Sequence, residues 1–384
     1  MITPGISLIN FKRKKDTKKI KENLNSVIKN KNQIIYSLSK SYLNSYNYKK
    51  IKNYKKNKNF RIIGMGGSTL GAQAIYAFLK DKIKKKFKFI DNLQNYQKKK
   101  NNENYTNLII SKSGNTIETI VNANILIKNK DKNIFVTENK RNYLYLLAEK
   151  LKAEIIHHNN FIGGRYSVLS EVGMLPAELM DLKPNNFRQF NSLIKNKKFV
   201  NTLLSNVSST LYLIKRKKYN SVIINYDDRS ETLFKWYQQL IAESLGKKGK
   251  GLLPIVSSMP KDNHSVMQLY LDGFKNNFFT LFYVHDKKSD KINNNTILKS
   301  QSFLKDKKLS NIIYAQMKAT ENVFKRKKIP FRSFEIKKRD EKTLGELFCF
   351  FILETILIGK SLNLNPFDQP AVELIKKETK KLLI

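Results

Sequence analysis

Two short segments of this chain concentrate the residue types that hold a phosphate. The first, Gly64-Met65-Gly66-Gly67-Ser68-Thr69-Leu70-Gly71, follows an apolar run and leads into a helical pattern. Glycine lets the backbone approach a ligand closely, and a helix start presents free N–H groups and a partial positive charge to an anion. A dinucleotide loop would need glycine where Thr69 stands, and a nucleoside-triphosphate loop would need lysine where Ala72 stands. Neither nucleotide motif fits. On its own the segment reads as an anion loop around Gly67 and Ser68, or as a tight turn. The second segment, Ser111-Lys112-Ser113-Gly114-Asn115-Thr116-Ile117-Glu118-Thr119, sets Ser111, Ser113, Thr116, Lys112 and a fresh helix start within six residues. Those groups can surround a phosphate monoester. Helix capping is the alternative, because Ser and Thr are preferred caps. Both segments lie at the carboxyl ends of predicted strands in one sheet, where open α/β domains bind ligands, and that pairing favours phosphate.

Other positions could move protons or steady charge. Gly163-Gly164-Arg165-Tyr166-Ser167 allows an unusual backbone path and delivers one cation, useful beside a developing oxyanion. A lone arginine is also a common surface ion-pair partner. Glu243, in Ala242-Glu243-Ser244-Leu245-Gly246-Lys247, ends a predicted helix after an apolar stretch. Burial lifts a carboxyl pKa toward the range of a general base, although a glutamate near a helix end is usually solvated. His264, in Lys261-Asp262-Asn263-His264-Ser265, is expected to start a helix, whereas His157, His158 and His285 read as structural or solvated. A polar cluster containing Asp368 and Gln369 precedes the last helix. Lys376 lies about one turn into it, and by composition alone it is one lysine among many.

These residues need a scaffold, and the hydropathy pattern supplies one. Apolar runs at 60–64, 87–90, 107–111, 134–137 and 155–157 predict strands, with helical spacing at 70–79, 117–127 and 143–151 between them. Such alternation implies a parallel, doubly wound sheet with helices on both faces. The stretch 163–186 reads as a connection. A second alternation follows, with strands at 221–226, 253–256, 278–284 and 331–336, helices at 231–245 and 300–324, and closing helices from Leu344 and Val372. Residues 11–59, with Leu24, Val27, Ile28, Ile34, Leu38 and Leu43, predict one or two amphipathic helices. The expected fold class is therefore α/β: two doubly wound parallel-sheet domains with helical N- and C-terminal segments, divided as 1–57, 58–186, 187–340 and 341–384.

Composition narrows the function classes. A length of 384 residues suits about two domains, and 41% hydrophobic content argues against disorder. The single Cys349 forms no internal disulfide, and no Cys/His cluster has zinc-ligand spacing. The longest apolar run, 347–358, carries Glu354 and falls short of the roughly 20 residues that span a bilayer, so it reads as a core helix. With no secretory pattern at the start, the expectation is a cytoplasmic protein with no membrane partner. Lys+Arg 73 against Asp+Glu 31 gives a formal charge of +42. Clustered cations bind nucleic acid by releasing counterions. Here the excess is nearly all lysine, spread along the chain and placed where helices end, which argues for a solvated coat over a nucleic-acid surface. Attraction for small phosphorylated anions holds in both cases.

In order and spacing, these segments resemble the glucose-6-phosphate isomerase (phosphoglucose isomerase) family, built from two sugar-isomerase (SIS) domains. The resemblance runs from about Arg61 to Lys376 and rests on six blocks, at 64–71, 111–119, 163–167, 242–251, 262–273 and 369–376. Asn263 stands where the family commonly has Gln, Ala371 replaces a common Gly, and the N-terminal region is short. The resemblance implies interconversion of glucose 6-phosphate and fructose 6-phosphate through a cis-enediol, without metal or cofactor. It assigns the phosphate to the backbone of Gly67 and Ser68 with Ser111, Lys112, Ser113 and Thr116. His264, helped by Lys376, would open the ring, and Glu243 would carry the proton between carbons 2 and 1. Arg165 would stabilise the enediolate, and Gln369 would orient the sugar. A homodimer is implied, with His264 supplied by the neighbouring chain. A bifunctional phosphoglucose/phosphomannose isomerase and a non-catalytic SIS-type sensor are the alternatives. The presence of both Glu243 and His264 favours an enzyme.

Overall fold

In the computed structural model, which describes residues 1–11, 17–30, 32–96, 104–128, 131–286 and 288–384, the apolar runs pair into two five-stranded sheets. The chain begins with β1 (Ile6–Ile9), α1 (Lys18–Lys29), α2 (Gln33–Ser37) and α3 (Tyr48–Tyr54). There follow β2 (Asn59–Gly64), α4 (Leu70–Phe78), β3 (Lys86–Ile90), β4 (Thr106–Ile110), α5 (Ile117–Leu126), β5 (Lys132–Thr137), α6 (Tyr143–Lys150) and β6 (Glu154–His157). The first sheet is parallel throughout, in the order β3-β2-β4-β5-β6. All five residues of β4 are buried, as expected of a parallel strand covered on both faces. The chain leaves β2 toward one edge and β4 toward the other, so these neighbours form the topological switch point, where such sheets open a crevice. Gly64 and Ile110 are register partners, so the two phosphate-type loops leave the sheet side by side.

Helices α7 (Glu171–Leu179), α8 (Pro184–Phe187), α9 (Phe190–Lys195) and α10 (Lys197–Lys215) lead to the second sheet. It comprises β7 (Asn220–Asn225), β8 (Leu253–Ser258), β9 (Asn277–Val284) and β10 (Phe331–Ile336), with α11 (Glu231–Leu245), α12 (Met267–Asp272) and α13 (Leu309–Arg326) between them. Its order is β1-β10-β9-β7-β8, parallel except for β1, which runs antiparallel to β10. The switch point here lies between β7 and β9, and Arg339 bridges it. Arg339 donates from Nη2 to Asp227 Oδ1 (2.7 Å) just past β7, and from Nε to Asp286 Oδ1 (2.9 Å) just past β9. Those ion pairs engage the carboxylates at that crevice, whereas the first sheet presents glycines and hydroxyls at the same place.

The core helix expected from the run 347–358 is α14 (Glu341–Ser361), buried from Thr343 to Gly359 and packed on α1, α8, α10 and α11. Asp340 caps its start, accepting from Thr343 N at 2.8 Å. Of its two buried glutamates, Glu346 and Glu354, the second meets Arg332 at 2.5 Å. Arg332 also donates to Thr280 (2.9 Å) and Asn206 (2.9 Å), so this fully buried pair has its remaining polar groups satisfied. The last helix is α15 (Val372–Leu382).

Several elements differ from the sequence expectation. Of the stretch 11–59, residues 12–16 and 31 lie outside the described residues, and the rest holds three α-helices. Before them stands β1, so the N-terminal segment is not wholly helical and the second sheet is not wholly parallel. Four residues carry too little periodicity to announce a strand whose partner lies more than 300 residues away. The stretch 163–186, read as a connection, contains a 3₁₀ turn (Gly164–Leu169) and α7. Gly173 and Pro176 disguise that helix, which burial nonetheless holds together. The single helix expected over 300–324 is a 3₁₀ turn (Lys299–Leu304) followed by α13, parted where Asp306 takes a positive φ of 60°.

Candidate active site

The loop after β2 makes a 3₁₀ turn, Gly66–Ser68, before α4. A Cβ on Gly67 would fall 2.2 Å from the carbonyl carbon of Gly164, so only glycine lets this loop meet the Gly163–Arg165 backbone. The loop after β4 is shaped by Gly114, at φ +66°, whose Cβ would overlap Asn142 Oδ1 at 1.8 Å. Thr116 occupies the N-cap of α5, yet its side chain caps nothing. Its Oγ1 lies 2.9 Å from the Oγ of buried Ser111. Capping therefore does not account for this Ser/Thr cluster, and the first-turn N–H groups of α5 remain open to an anion. Ser113 is exposed, accepting from Asn115 N at 3.3 Å. Lys112 reaches Asn160 O (2.7 Å) and Glu138 (3.5 Å).

Arg165, 2% exposed, is held by every donor it has. Nε bonds Ser244 Oγ (2.8 Å), Nη1 bonds Gln369 Oε1 (2.6 Å) and Glu243 Oε2 (3.2 Å), and Nη2 bonds the carbonyls of Pro366 (2.8 Å) and Asp368 (3.0 Å). Five bonds exhaust the guanidinium. Its own carbonyl accepts from Trp236 Nε1 at 3.1 Å. Tyr166 braces the same point, its hydroxyl lying 2.8 Å from Ser244 Oγ and 2.9 Å from Pro366 O. Burial pushes that hydroxyl above its ordinary pKa, so it stays protonated.

Glu243 stands on α11, whose opposite face packs on α4, β8 and α14. Its side chain is 25% exposed, so it faces the crevice and is not sealed in the core. Oε1 accepts from Gln239 Nε2 at 2.9 Å while Oε2 faces Arg165. Lys247, four residues on, clamps the segment carrying Gln369 through Asp368 Oδ1 (2.6 Å), and that bond holds the Asp368 carboxyl below its ordinary pKa.

The chain thus brings together Arg165, Glu243 and Gln369 beside the loops of Gly67, Ser68, Ser111, Lys112, Ser113 and Thr116. No hydrogen bond or ion pair among the described residues joins His264 or Lys376 to them. His264 ends a 3₁₀ turn (Lys261–His264), contrary to the expected helix start, because α12 begins only at Met267. It is exposed, and its ring bonds no side chain among the described residues. Lys376 sits on α15, which buries none of its residues, and pairs with Glu373 at 2.6 Å. Sequence reasoning missed Gln239, Ser244 and Tyr166 as functional neighbours. Gln239 precedes Glu243 by one helical turn, a spacing that could have flagged it. A carboxylate beside a fixed cation, adjoining two anion loops, is equipped to take a proton next to a carbonyl.

Residues 10–383 match the family model described as phosphoglucose isomerase. A glucose-6-phosphate isomerase of Methanocaldococcus jannaschii is 33% identical over 341 residues, 82% of this chain and 82% of that protein. One from Acholeplasma laidlawii is 33% identical over 360 residues, 84% of this chain and 82% of its own. Among solved structures, a hypothetical protein from Thermus thermophilus aligns with a TM-score of 0.82 at 22% identity, covering 96% of this chain and 94% of that one. A glucose-6-phosphate isomerase from Chlamydia trachomatis aligns with a TM-score of 0.67 at 18% identity, covering 91% and 73%. The two structures share the fold.

Proposed function

This chain belongs to the phosphoglucose isomerase family, and we propose that the cluster of Arg165, Glu243 and Gln369 with the two flanking loops is where it performs that family's reaction. It is an aldose–ketose isomerase that interconverts glucose 6-phosphate and fructose 6-phosphate, a step of glycolysis and gluconeogenesis. Ser111, Ser113, Thr116, Lys112, the first-turn N–H groups of α5 and the backbone around Gly67 and Ser68 hold the phosphate. This anchoring sets carbons 1 and 2 against Glu243, which turns remote binding energy into orientation. Glu243 takes the proton from carbon 2 and returns it to carbon 1 through the cis-enediol. Arg165 has no spare N–H, so an incoming sugar oxygen takes over a bond from Nη1. Release of the long Glu243 bond frees Oε2 for the carbon-bound proton and turns the cation toward the enediolate oxygen. Gln239 keeps the other carboxylate oxygen in place, and Gln369 orients the sugar.

Ring opening falls to His264 with Lys376, and the reading assigns His264 to the site of a second copy in a homodimer. Its exposure supports this, as do the exposed Leu269 and Phe274 close by in sequence. So does α15, whose Leu374 and Ile375 lie open in the single chain, since an isolated helix of this length is marginal in water. The division at 57/58, 186/187 and 340/341 is kept as the working reading, with the first sheet inside 58–186 and β7 to β10 of the second inside 187–340. Among the described residues no helix is long and apolar enough to cross a membrane. Water-soluble sugar phosphates as substrates favour a cytoplasmic site of action.

The observation that carries this reading is the Arg165 guanidinium joining Glu243 to Gln369 beside the loop of Gly67. A dehydrogenase-coupled assay of purified protein tests it, with fructose 6-phosphate as substrate and mannose 6-phosphate in parallel. Turnover of the first is expected, and no turnover would refute the assignment.

A further inference from the structure

One buried carboxylate takes no part in the chemistry above. Glu171, the first residue of α7, is fully buried. Its Oε1 accepts from Asn159 N at 2.5 Å and its Oε2 from the Tyr42 hydroxyl at 2.9 Å. Asn159 lies 12 residues earlier, so the side chain closes a loop across the segment that contains Gly163, Gly164 and Arg165. A carboxylate is costly to bury, and here both oxygens accept from donors fixed by other bonds.

Those donors are pinned in turn. His158 ties Asn159 from the other side, with Nδ1 2.9 Å from Asn159 O, and its own N donates to Thr137 O at 2.8 Å. The Asn159 amide reaches Gln33 Oε1 at 3.2 Å. Tyr42 is held through its carbonyl by Arg188 Nη1 (2.9 Å). Arg188 also donates to Leu169 O, the end of the 3₁₀ turn that carries Arg165 (3.0 Å from Nη2). Beyond Asn159, the carbonyl of Asn160 receives Lys112 Nζ at 2.7 Å, and Gly164 abuts Gly67. The clasped segment therefore carries the arginine, and it touches the phosphate loops only through the Lys112 side chain and the Gly67 backbone.

We propose that Glu171 is a positioning residue of this enzyme: by clasping Asn159 N–H and Tyr42 it fixes the segment 159–171 and so the placement of Arg165 against Glu243. The phosphate-binding hydroxyls sit in the loop between β4 and α5, whose ends the first sheet holds independently of the clasp. Its loss is therefore read in turnover more than in substrate binding. A displacement on the order of 1 Å in a catalytic group can cost about 100-fold.

The test compares Glu171→Ala and Glu171→Gln. The Ala variant removes both bonds, while the Gln variant keeps an oxygen for Asn159 N–H. The expected result for Ala is a kcat lower by about 10- to 100-fold with KM within about threefold of wild type; Gln should restore kcat to within about threefold. Amide hydrogen exchange over 158–171, measured without substrate, should speed up about tenfold or more in the Ala variant and return toward wild type in the Gln variant. The kinetic arm rests on the isomerase reading. The exchange arm does not, so a wild type inactive on fructose 6-phosphate would refute that reading while exchange still judged the clasp. Unchanged exchange in the Ala variant, unchanged kcat, or a kcat loss that Gln does not restore would overturn the proposal. Should the Ala variant fail to fold, Tyr42→Phe replaces it. That change breaks one bond and should lower kcat about two- to fivefold with faster exchange over the same amides, and no change in either would overturn the proposal.

Discussion

Replacing Glu243 with Gln separates the proposed base from everything else its side chain does. The carboxylate accepts two bonds, from Gln239 at 2.9 Å and Arg165 at 3.2 Å. In the Gln variant the amide oxygen keeps the Arg165 bond, and the new NH₂ faces Gln239 Nε2, a clash of two donors. Rotating the Gln239 amide by half a turn removes it, because Gln239 Oε1 is buried without a partner among the described residues and can then accept. The fold should lose less than about 1 kcal/mol. Catalysis should lose the whole contribution of a general base, about 100- to 10,000-fold or more. At about 1.4 kcal/mol per decade, the barrier rises by roughly 3–6 kcal/mol. Arg165, relieved of its carboxylate, keeps its attraction for an anion, so a phosphorylated sugar acid should bind within about threefold of wild type. Two assays decide the matter: dehydrogenase-coupled turnover of fructose 6-phosphate, and calorimetric titration with the sugar acid. Solvent deuterium incorporation at carbon 2 of the sugar, which requires the base, should also cease. Turnover within threefold of wild type would refute the reasoning. So would loss of inhibitor binding in step with turnover, since the carboxylate would then be serving the ground state.

Further predictions follow from the same geometry. Changing Ser111 and Thr116 together to Ala should weaken the sugar-acid inhibitor at least tenfold, because each hydrogen bond to a charged group contributes about 1.5–3 kcal/mol; an unchanged inhibition constant would place the phosphate elsewhere. Mixing Glu243→Gln with His264→Ala by co-expression should restore about a quarter of wild-type activity, since half of randomly paired dimers are mixed and each has one intact site. No recovery, with mixed dimers confirmed, would mean that both residues serve a site from one chain. Acid stability tests a third point. Burial alone would raise the Glu335 carboxyl, but bonds from Lys318, Lys337 and His285 outweigh it and hold the pKa at about 2. A folded pKa below the unfolded value stabilises above about pH 4.5, and that stability drains away as pH falls toward 2. After allowance for solvent screening it amounts to about 1–2 kcal/mol. Urea midpoints from pH 5 to 2.5 should therefore fall more steeply for wild type than for Glu335→Gln, and parallel slopes would count against the cluster.

Neighbours along the chain encode only some parts of this protein. The alternation of strands and helices was legible because periods of two and 3.6 are local properties. The loops at 64–71 and 111–119 were legible because an anion cradle needs glycine and hydroxyls in consecutive positions. Even there the sequence left capping and ligand binding open, and the structure adds that the Thr116 hydroxyl faces Ser111 and not its own helix. The meeting of Arg165 with Glu243 and Gln369 spans 204 residues, and no spacing rule predicts it; only the resemblance pointed there. It is decided by packing: α11 lies on α4 and α14, Trp236 takes hold of the Arg165 carbonyl, and Lys247 draws the segment of Asp368 onto the same helix end. The clasp of Glu171 on Asn159 and Tyr42 was hidden for the same reason. A glutamate opening a helix reads as an exposed first-turn charge, and only the approach of the N-terminal segment turns it inward.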